Sequence, residues 1–166
     1  MIILGIDPGT ITMGYGIIAV GDDDEVSPVD FGALSCSPRS PIGERLHYLY
    51  VELDRIIGRC QPAAVAIEQP FVAKNVKTAL TIGRAQAVAI LAAAGKDIAT
   101  YEYTPTQVKQ RIANYGASSK SQVQEMVRLQ LGLSEVPQPS DAADALAVAI
   151  CHFREVRLKE LLAGGR

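Results

Sequence analysis

The sequence has few of the residues from which zinc sites and disulfide networks are built. Its 166 residues include two histidines, His47 and His152, and three widely spaced cysteines, Cys36, Cys60 and Cys151. So small a number of histidines and cysteines argues against a zinc site built from His and Cys. An odd number of cysteines without a Cys-x-x-Cys pair is typical of the buried, reduced thiols of a cytosolic protein.

Long apolar runs and secretory signals are also missing. The longest apolar run, Ala87–Ala94, is too short to cross a bilayer. Neither a basic segment nor a small-residue cleavage site precedes Asp7. We therefore expect a cytoplasmic protein with no membrane partner. The length and the 48% hydrophobic content suit a single domain over residues 1–158, with a flexible C-terminal tail over residues 159–166.

The charges are unevenly distributed along the chain, although the net charge is only −2. Residues 1–70 hold 4 basic and 10 acidic side chains, whereas residues 71–130 hold 8 basic and 3 acidic ones. A basic segment beside an acidic cluster suits a site that cuts phosphodiesters, because cations bind the backbone and carboxylates hold metal. An ordinary mixed-charge surface would give the same distribution.

Three short motifs place carboxylates at the edges of apolar runs, where an unpaired charge is costly. They are Gly5-Ile6-Asp7-Pro8-Gly9-Thr10, Ala66-Ile67-Glu68-Gln69-Pro70 and Asp141-Ala142-Ala143-Asp144-Ala145-Leu146. Converging carboxylates repel one another unless a cation lies between them. Because Mg²⁺ is held by carboxylate oxygens, water and substrate phosphate, the motifs predict metal-dependent phosphoryl chemistry.

The hydrophobic pattern predicts a mixed sheet in which three antiparallel strands are followed by alternating helices and strands. The predicted strands cover residues 2–6, 14–20, 29–36, 63–67 and 98–103. The predicted helices begin at Ser40-Pro41, cover 76–94, begin at capping boxes after Thr104 and Ser119, and cover 140–158. Asp7 and Glu68 then end two strands at the rim where open α/β sheets place their sites.

Each motif also has a plain structural interpretation. Asp7 before Pro-Gly can simply start a turn, and Glu68 can lie exposed at a sheet edge. Asp141 and Asp144 share one face of a helix and suit its N-terminus. Gly5 before Asp7 and Gly9-Thr10 after it favour a close approach of phosphate or metal to the backbone, a pattern shared with phosphotransferases of the actin and sugar-kinase type. Taken together, the motifs specify a site.

Six motifs, in order from Met1 to about Phe153, resemble the RuvC Holliday-junction resolvases. They are Gly5-Ile6-Asp7-Pro8-Gly9, Gly14-Tyr15-Gly16, Ile67-Glu68-Gln69-Pro70-Phe71, Gln107-Val108-Lys109-Gln110, Lys120-Ser121-Gln122-Val123-Gln124 and Asp141-Ala142-Ala143-Asp144-Ala145-Leu146. The resemblance implies a ribonuclease H-like α/β fold, a mixed five-stranded sheet with helices on both faces. It also implies a homodimeric endonuclease that resolves four-way DNA junctions by paired symmetric nicks during recombination and repair, leaving 5′-phosphate and 3′-hydroxyl ends.

The resemblance also implies roles for individual residues. Asp7, Glu68, Asp141 and Asp144 match the catalytic carboxylates that hold two Mg²⁺ ions, and the sequence leaves open whether Mn²⁺ substitutes. The matching DNA contacts are Phe71, which would stack on a base at the opened junction centre, with Lys74, Lys109 and Lys120. The expected partners are four-way junction DNA, a second copy of the chain and the RuvA-RuvB branch-migration complex. One departure is the turn Thr10–Met13, which lacks the basic residue expected after Asp-Pro-Gly.

Two other functions are compatible with parts of the pattern. A phosphotransferase of the sugar-kinase or actin type shares the opening motif, but that class needs two related domains and this chain has room for one. A non-catalytic nucleic-acid scaffold with a decayed site is disfavoured because all four carboxylates are in place.

Overall fold

One mixed sheet of five strands organises the chain. The computed structural model describes residues 1–70 and 75–164. The strands are β1 (Ile2–Asp7), β2 (Thr12–Val20), β3 (Val26–Ser35), β4 (Ala64–Glu68) and β5 (Thr100–Tyr103), in the spatial order β3-β2-β1-β4-β5. β1 pairs antiparallel with β2, and β2 with β3, whereas β1–β4 and β4–β5 are parallel pairs. This arrangement confirms the predicted fold class.

The helices cover both faces of the sheet because side chains alternate along each strand. α1 (Ile42–Cys60) and α2 (Val76–Ala94) pack on one face, where Leu4 and Ile6 of β1 join their core. α3 (Pro105–Ala113), α4 (Lys120–Gln130) and α5 (Ser140–Gly164) cover the other face, where Ile3 belongs to the core.

Several predicted helix starts agree with the structure. The bounds of α2 are those predicted from the sequence. The capping boxes at Thr104 and Ser119 both form, since each side chain accepts a hydrogen bond from the backbone N–H three residues on. These two caps set where α3 and α4 begin.

Two helix ends differ from expectation. Pro41, not Ser40, occupies the N-cap position of α1, and the helix begins at Ile42. α5 continues to Gly164, six residues beyond Leu158, where we expected a flexible tail to start. The reason is local: neither Gly nor Pro interrupts the chain before Gly164, and Leu161 and Leu162 continue the helical pattern.

α2 is the one helix within residues 1–70 and 75–164 that has the length and apolar composition of a membrane span. A core helix of a globular protein meets the same criterion, and α2 contributes Ala85, Ala89 and Ala92 to the core beneath the sheet. Its composition is therefore weak evidence for a membrane role.

Candidate active site

Asp7 and Glu68 lie side by side at one edge of the sheet. They are the last residues of β1 and β4, which are parallel neighbours with Ile6 paired to Ile67. Each carboxylate residue is one step beyond that pair, so the two side chains point to the same face. Ile6 and Ile67 point the opposite way, into the core under α1 and α2. Asp7 and Glu68 therefore lie on the face covered by α3, α4 and α5.

Three glycines allow α5 to lie directly on this face of the sheet. A Cβ at Gly5 would overlap the carbonyl oxygen of Ala145, and one at Gly14 would overlap that of Asp141. A Cβ at Gly16 would lie 2.7 Å from the backbone nitrogen of Leu146. We expected phosphate or metal to approach the backbone at Gly5, and this was wrong: the backbone of α5 occupies that space.

This close packing brings the motif that contains Asp141 and Asp144 next to the motif that contains Asp7. Gly14 is the register partner of Asp7 in the β1–β2 pair, and the backbone of Asp141 lies against it. The first turn of α5 therefore sits next to the end of β1. Asp141 and Asp144, three residues apart on α5, reach the rim that Asp7 and Glu68 already occupy.

A pocket of about 320 Å³ opens at this rim. Asp7, Glu68 and Asp144 line it together with Lys109 and Lys120. Asp141 is not among its lining residues, but its charge acts on Asp7. The structure thus brings three of the four predicted carboxylates and two of the predicted lysines to one cavity, with the fourth carboxylate beside it.

The carboxylates of Asp7 and Glu68 are hard to ionise in the metal-free protein. Burial raises the pKa of Asp7 to about 8, repulsion from Glu68, Asp144 and Asp141 adds to the shift, and Lys120 opposes it. Burial and the charge of Asp144 raise the pKa of Glu68 to about 7, against Lys120 and Lys109. A cation among these carboxylates would relieve the repulsion and favour their charged forms.

Asp144 has two direct partners on α4. The Lys120 ammonium lies 2.6 Å from Oδ2, and the Gln124 amide lies 3.3 Å from Oδ1. Burial alone would lower the pKa of Lys120, but the hydrogen bond to Asp144 and the nearby carboxylates raise it above its ordinary value. Lys120 therefore remains charged and compensates part of the negative charge of the site.

The carboxylate oxygens around the pocket are suitable ligands for a divalent ion, although the described side chains do not converge on a single point. Within residues 1–70 and 75–164, no three His, Cys, Asp or Glu side chains are close enough together to hold one ion. The oxygens that surround the pocket are nevertheless the hard ligands that Mg²⁺ and Mn²⁺ prefer. Burial, and then repulsion between neighbouring carboxylates, raise the pKa values of Asp7 and Glu68, and a bound cation would oppose both effects.

We expect Asp7→Asn to stabilise the metal-free protein at pH 8. The folded-state pKa of Asp7 is about 8 against 3.8 for the free side chain, so the folded state binds more protons between these values. Its contribution to stability is full below pH about 4 and is lost as the pH rises towards 8. Asn does not ionise, so the unfolding free energy at pH 8 should rise by several kcal/mol, since each pKa unit corresponds to about 1.4 kcal/mol.

Differential scanning calorimetry in EDTA at pH 4 and pH 8 measures this effect. The gain in melting temperature should appear at pH 8 and nearly vanish at pH 4. Asp22→Asn, in the exposed turn between β2 and β3, is the matched control and should change neither value. An unchanged melting temperature of Asp7→Asn at pH 8 would show that Asp7 is not held in a repulsive environment.

Two of the four predicted DNA contacts line the pocket. Lys109 lies on α3 and Lys120 is the first residue of α4, and both line the pocket. Phe71 and Lys74 lie outside the described residues.

The sequence matches the family model described as crossover junction endodeoxyribonuclease RuvC over residues 3–152. The chain belongs to the RuvC family. A curated RuvC of Dehalococcoides mccartyi is 55% identical over 152 residues, covering 92% of each chain. Another, of Desulfitobacterium hafniense, is 48% identical over 164 residues, covering 99% of each chain. These relatives confirm the expected family and its class of enzyme, the crossover junction endodeoxyribonucleases.

Solved structures of the RuvC family share the fold. Thermus thermophilus RuvC superposes with a TM-score of 0.88 at 35% identity, covering 96% of this chain and 97% of that one. T. thermophilus RuvC in complex with Holliday junction substrate gives 0.86 at 34% identity, covering 95% and 96%. The yeast mitochondrial Holliday junction resolvase Ydc2, at 15% identity and a TM-score of 0.65, shares the fold alone.

Two features of this RuvC-family site were missed in the sequence. Gln124 was noted only as part of a motif, and its hydrogen bond to Asp144 depends on α4 packing against α5. Gly14 and Gly16 were likewise noted only for their resemblance. Their spacing of two on a strand, facing a small-residue helix, was the available signal that a backbone packs there.

Proposed function

We propose that this RuvC-family enzyme resolves four-way DNA junctions by using a divalent metal held at Asp7, Glu68, Asp141 and Asp144. The observation that supports it is the pocket at the sheet rim, where carboxylates from β1, β4 and α5 meet lysines from α3 and α4. The carboxylates of the pocket repel one another and are stabilised by a bound cation, and the lysines beside them are stabilised by a bound anion. A metal ion and a DNA phosphate satisfy both requirements at once.

The carboxylates and the bound metal divide the chemistry between them. Two Mg²⁺ ions, or Mn²⁺ in their place, would supply hydroxide from bound water and stabilise the charge on the departing 3′ oxygen. Asp7 and Glu68 would hold them from the sheet, and Asp141 and Asp144 from α5. Because the first two side chains end buried strands and the others lie on a buried helix, the ligands are held on rigid elements.

The scissile phosphate would be received by the cationic side of the pocket. Pro105, the first residue of α3, lines the pocket, and so does Lys120, the first residue of α4. The positive end of each helix dipole favours an anion there, although the capping boxes already occupy some backbone N–H groups of both helices. Lys109 and Lys120 add full charges there. We retain Phe71 and Lys74 as further DNA contacts on the strength of the family resemblance.

The proposed activity is tested by titrating Mg²⁺ into the enzyme with a synthetic four-way junction and with a linear duplex of the same sequence. We expect metal-dependent nicks in the junction and few in the duplex. The products should be ligatable, as 5′-phosphate and 3′-hydroxyl ends require. Equal cleavage of both substrates, or cleavage in EDTA, would contradict the proposal.

We also propose that two chains pair through α2. Six of its exposed residues recur at intervals of three and four, as in a helix seam: Lys77, Leu80, Arg84, Ala87, Leu91 and Ala94. Leu80 and Leu91 are 64% and 62% exposed, while Ala85 and Ala89 on the opposite side are buried. A two-fold partner would cover this seam and supply the second site that symmetric nicks need.

The double substitution Leu80→Glu with Leu91→Glu should convert the dimer into a monomer. Two carboxylates placed in a self-complementary seam face their own copies and repel. Analytical ultracentrifugation measures the mass, and circular dichroism checks that the chain is folded. Leu129→Glu, which replaces a leucine 55% exposed on α4, is the control and should stay dimeric. A wild-type protein that sediments as a monomer would end this proposal.

A family of DNA-cleaving enzymes acts inside the cell, and we place this member in the cytoplasm. The RuvA-RuvB branch-migration complex is the partner that the family resemblance implies.

A further inference from the structure

α4 holds the carboxylate of Asp144 by both of its oxygens. Lys120 Nζ lies 2.6 Å from Oδ2, and Gln124 Nε2 lies 3.3 Å from Oδ1. Lys120 and Gln124 are four residues apart, so they lie one above the other on the same face of α4. Asp144 is 17% exposed, which means that its charge is largely withdrawn from water and depends on these two partners.

We propose that Lys120 is a built-in cation that takes the place of metal at Asp144 and yields it when metal binds, while Gln124 is a positioning residue that keeps Asp144 aimed at the pocket. The inference rests on the metal site proposed above. It assigns different behaviour to the two partners of one carboxylate: one is displaced and the other stays.

Lys120 has the properties of a partner that can leave. Its side chain is 61% exposed, so it can move into solvent without leaving a buried gap. An ammonium on a flexible four-carbon stem is a point charge that changes partner readily. A divalent ion offers Oδ2 twice the charge, and the released ammonium remains in a pocket suited to a DNA phosphate. Metal and phosphate would therefore each favour the binding of the other.

Gln124 has the properties of a partner that remains. It is partly buried and uncharged, so a metal ion does not repel it as it repels Lys120. Its amide would continue to donate to Oδ1 while Oδ2 exchanges ammonium for metal. Groups that hold a metal ligand in this way typically change metal affinity by about 10- to 100-fold when removed.

Metal binding without DNA tests the two roles separately. Binding of Mn²⁺ to the full chain is followed by the electron paramagnetic resonance of the free ion. Lys120→Met should bind Mn²⁺ about fivefold more tightly, because the competing cation is gone. Lys109→Met removes a charge from the same pocket and should have a smaller effect. Affinity for Lys120→Met that is unchanged, or equal to that of Lys109→Met, would overturn the role of Lys120.

The positioning role of Gln124 predicts weaker Mn²⁺ binding when the residue is replaced, in contrast to Lys120. Gln124→Leu should bind Mn²⁺ about tenfold more weakly, since Asp144 loses the donor that fixes it. Gln130→Leu is the matched control on the same helix, because Gln130 hydrogen-bonds the carbonyl of Ile112 instead. Equal affinities of these two variants would overturn the role of Gln124.

Displacement of Lys120 can be observed directly in the wild-type protein by lysine acetylation and mass spectrometry. Mn²⁺ should speed the acetylation of Lys120, because the ammonium leaves its ion pair. Lys96, paired with Asp54 at 2.8 Å on the other side of the sheet, should label at the same rate throughout. An unchanged Lys120 rate with Mn²⁺ bound would contradict displacement.

Asp7→Asn separates this inference from the proposed function. If Asp7→Asn binds Mn²⁺ as tightly as wild type does, the proposed metal site is wrong. If Asp7→Asn loses binding while the variants of Lys120 and Gln124 match their controls, the metal site stands and only the present inference fails.

Discussion

Replacing Asp7 by Asn, or Glu68 by Gln, will abolish cleavage of a four-way junction and leave its binding largely intact. Both residues end parallel strands at the pocket and point into it from the same face of the sheet. Each substitution keeps the size of the side chain but removes a charge that metal requires. Because metal supplies several kcal/mol of transition-state stabilisation, the cleavage rate should fall about 10³-fold or more.

Binding should survive because the carboxylates do not attract DNA. They repel phosphate, and the lysines and helix N-termini that we propose to attract it are unchanged by either substitution. Single-turnover cleavage in Mg²⁺ and gel-shift binding in EDTA measure the two properties separately. Asp22→Asn serves as control, since it removes an exposed carboxylate distant from the pocket. Wild-type cleavage by either variant would remove that residue from the catalytic set.

Gly14→Ala will impair both stability and cleavage. The new methyl group would occupy the place of the Asp141 carbonyl oxygen, so the first turn of α5 has to move away from the sheet. Overpacking of this kind costs about 1–3 kcal/mol of unfolding free energy. Because Asp141 and Asp144 move with the helix, cleavage should fall about 100-fold, as displacements near 1 Å commonly produce.

The effect on cleavage should be visible at temperatures where Gly14→Ala is still fully folded. Urea unfolding gives the stability, and the cleavage rate is then measured well below the melting temperature. Gly43→Ala is the control, because a Cβ at Gly43 meets no atom of the described residues within 4 Å. Normal cleavage by a stable Gly14→Ala variant would mean that α5 is not seated on the backbone of β2.

The sequence was sufficient for the parts of the site that depend on local pattern. Apolar runs that end in Asp7 and Glu68 predicted two strands and their rim, and the two capping boxes predicted the starts of α3 and α4. The start of α1 was wrong by one position because both Ser40 and Pro41 favour a helix N-terminus. The end of α5 was wrong because Leu158 was taken as the last residue of a pattern that Leu161 and Leu162 extend.

The parts that depend on distant contacts were not predictable. The Asp144 partners Lys120 and Gln124 are 24 and 20 residues away along the chain, and nothing local links them. The role of Gly5 was misjudged for the same reason, since a glycine signals close approach without naming what approaches. The four carboxylates were assigned to one site through family resemblance as much as through pattern, and their catalytic roles stay a prediction.

The exposed side of α2 has a consequence for how the enzyme would work in dilute solution. The helices of one chain pack on both faces of the sheet, and Leu80 and Leu91 of α2 remain exposed for the proposed partner. If two chains pair through α2 as proposed, their association is a bimolecular step that obeys mass action. At concentrations below the dissociation constant, a lone subunit would leave an isolated single-strand break, and only association would turn that break into a resolved crossover.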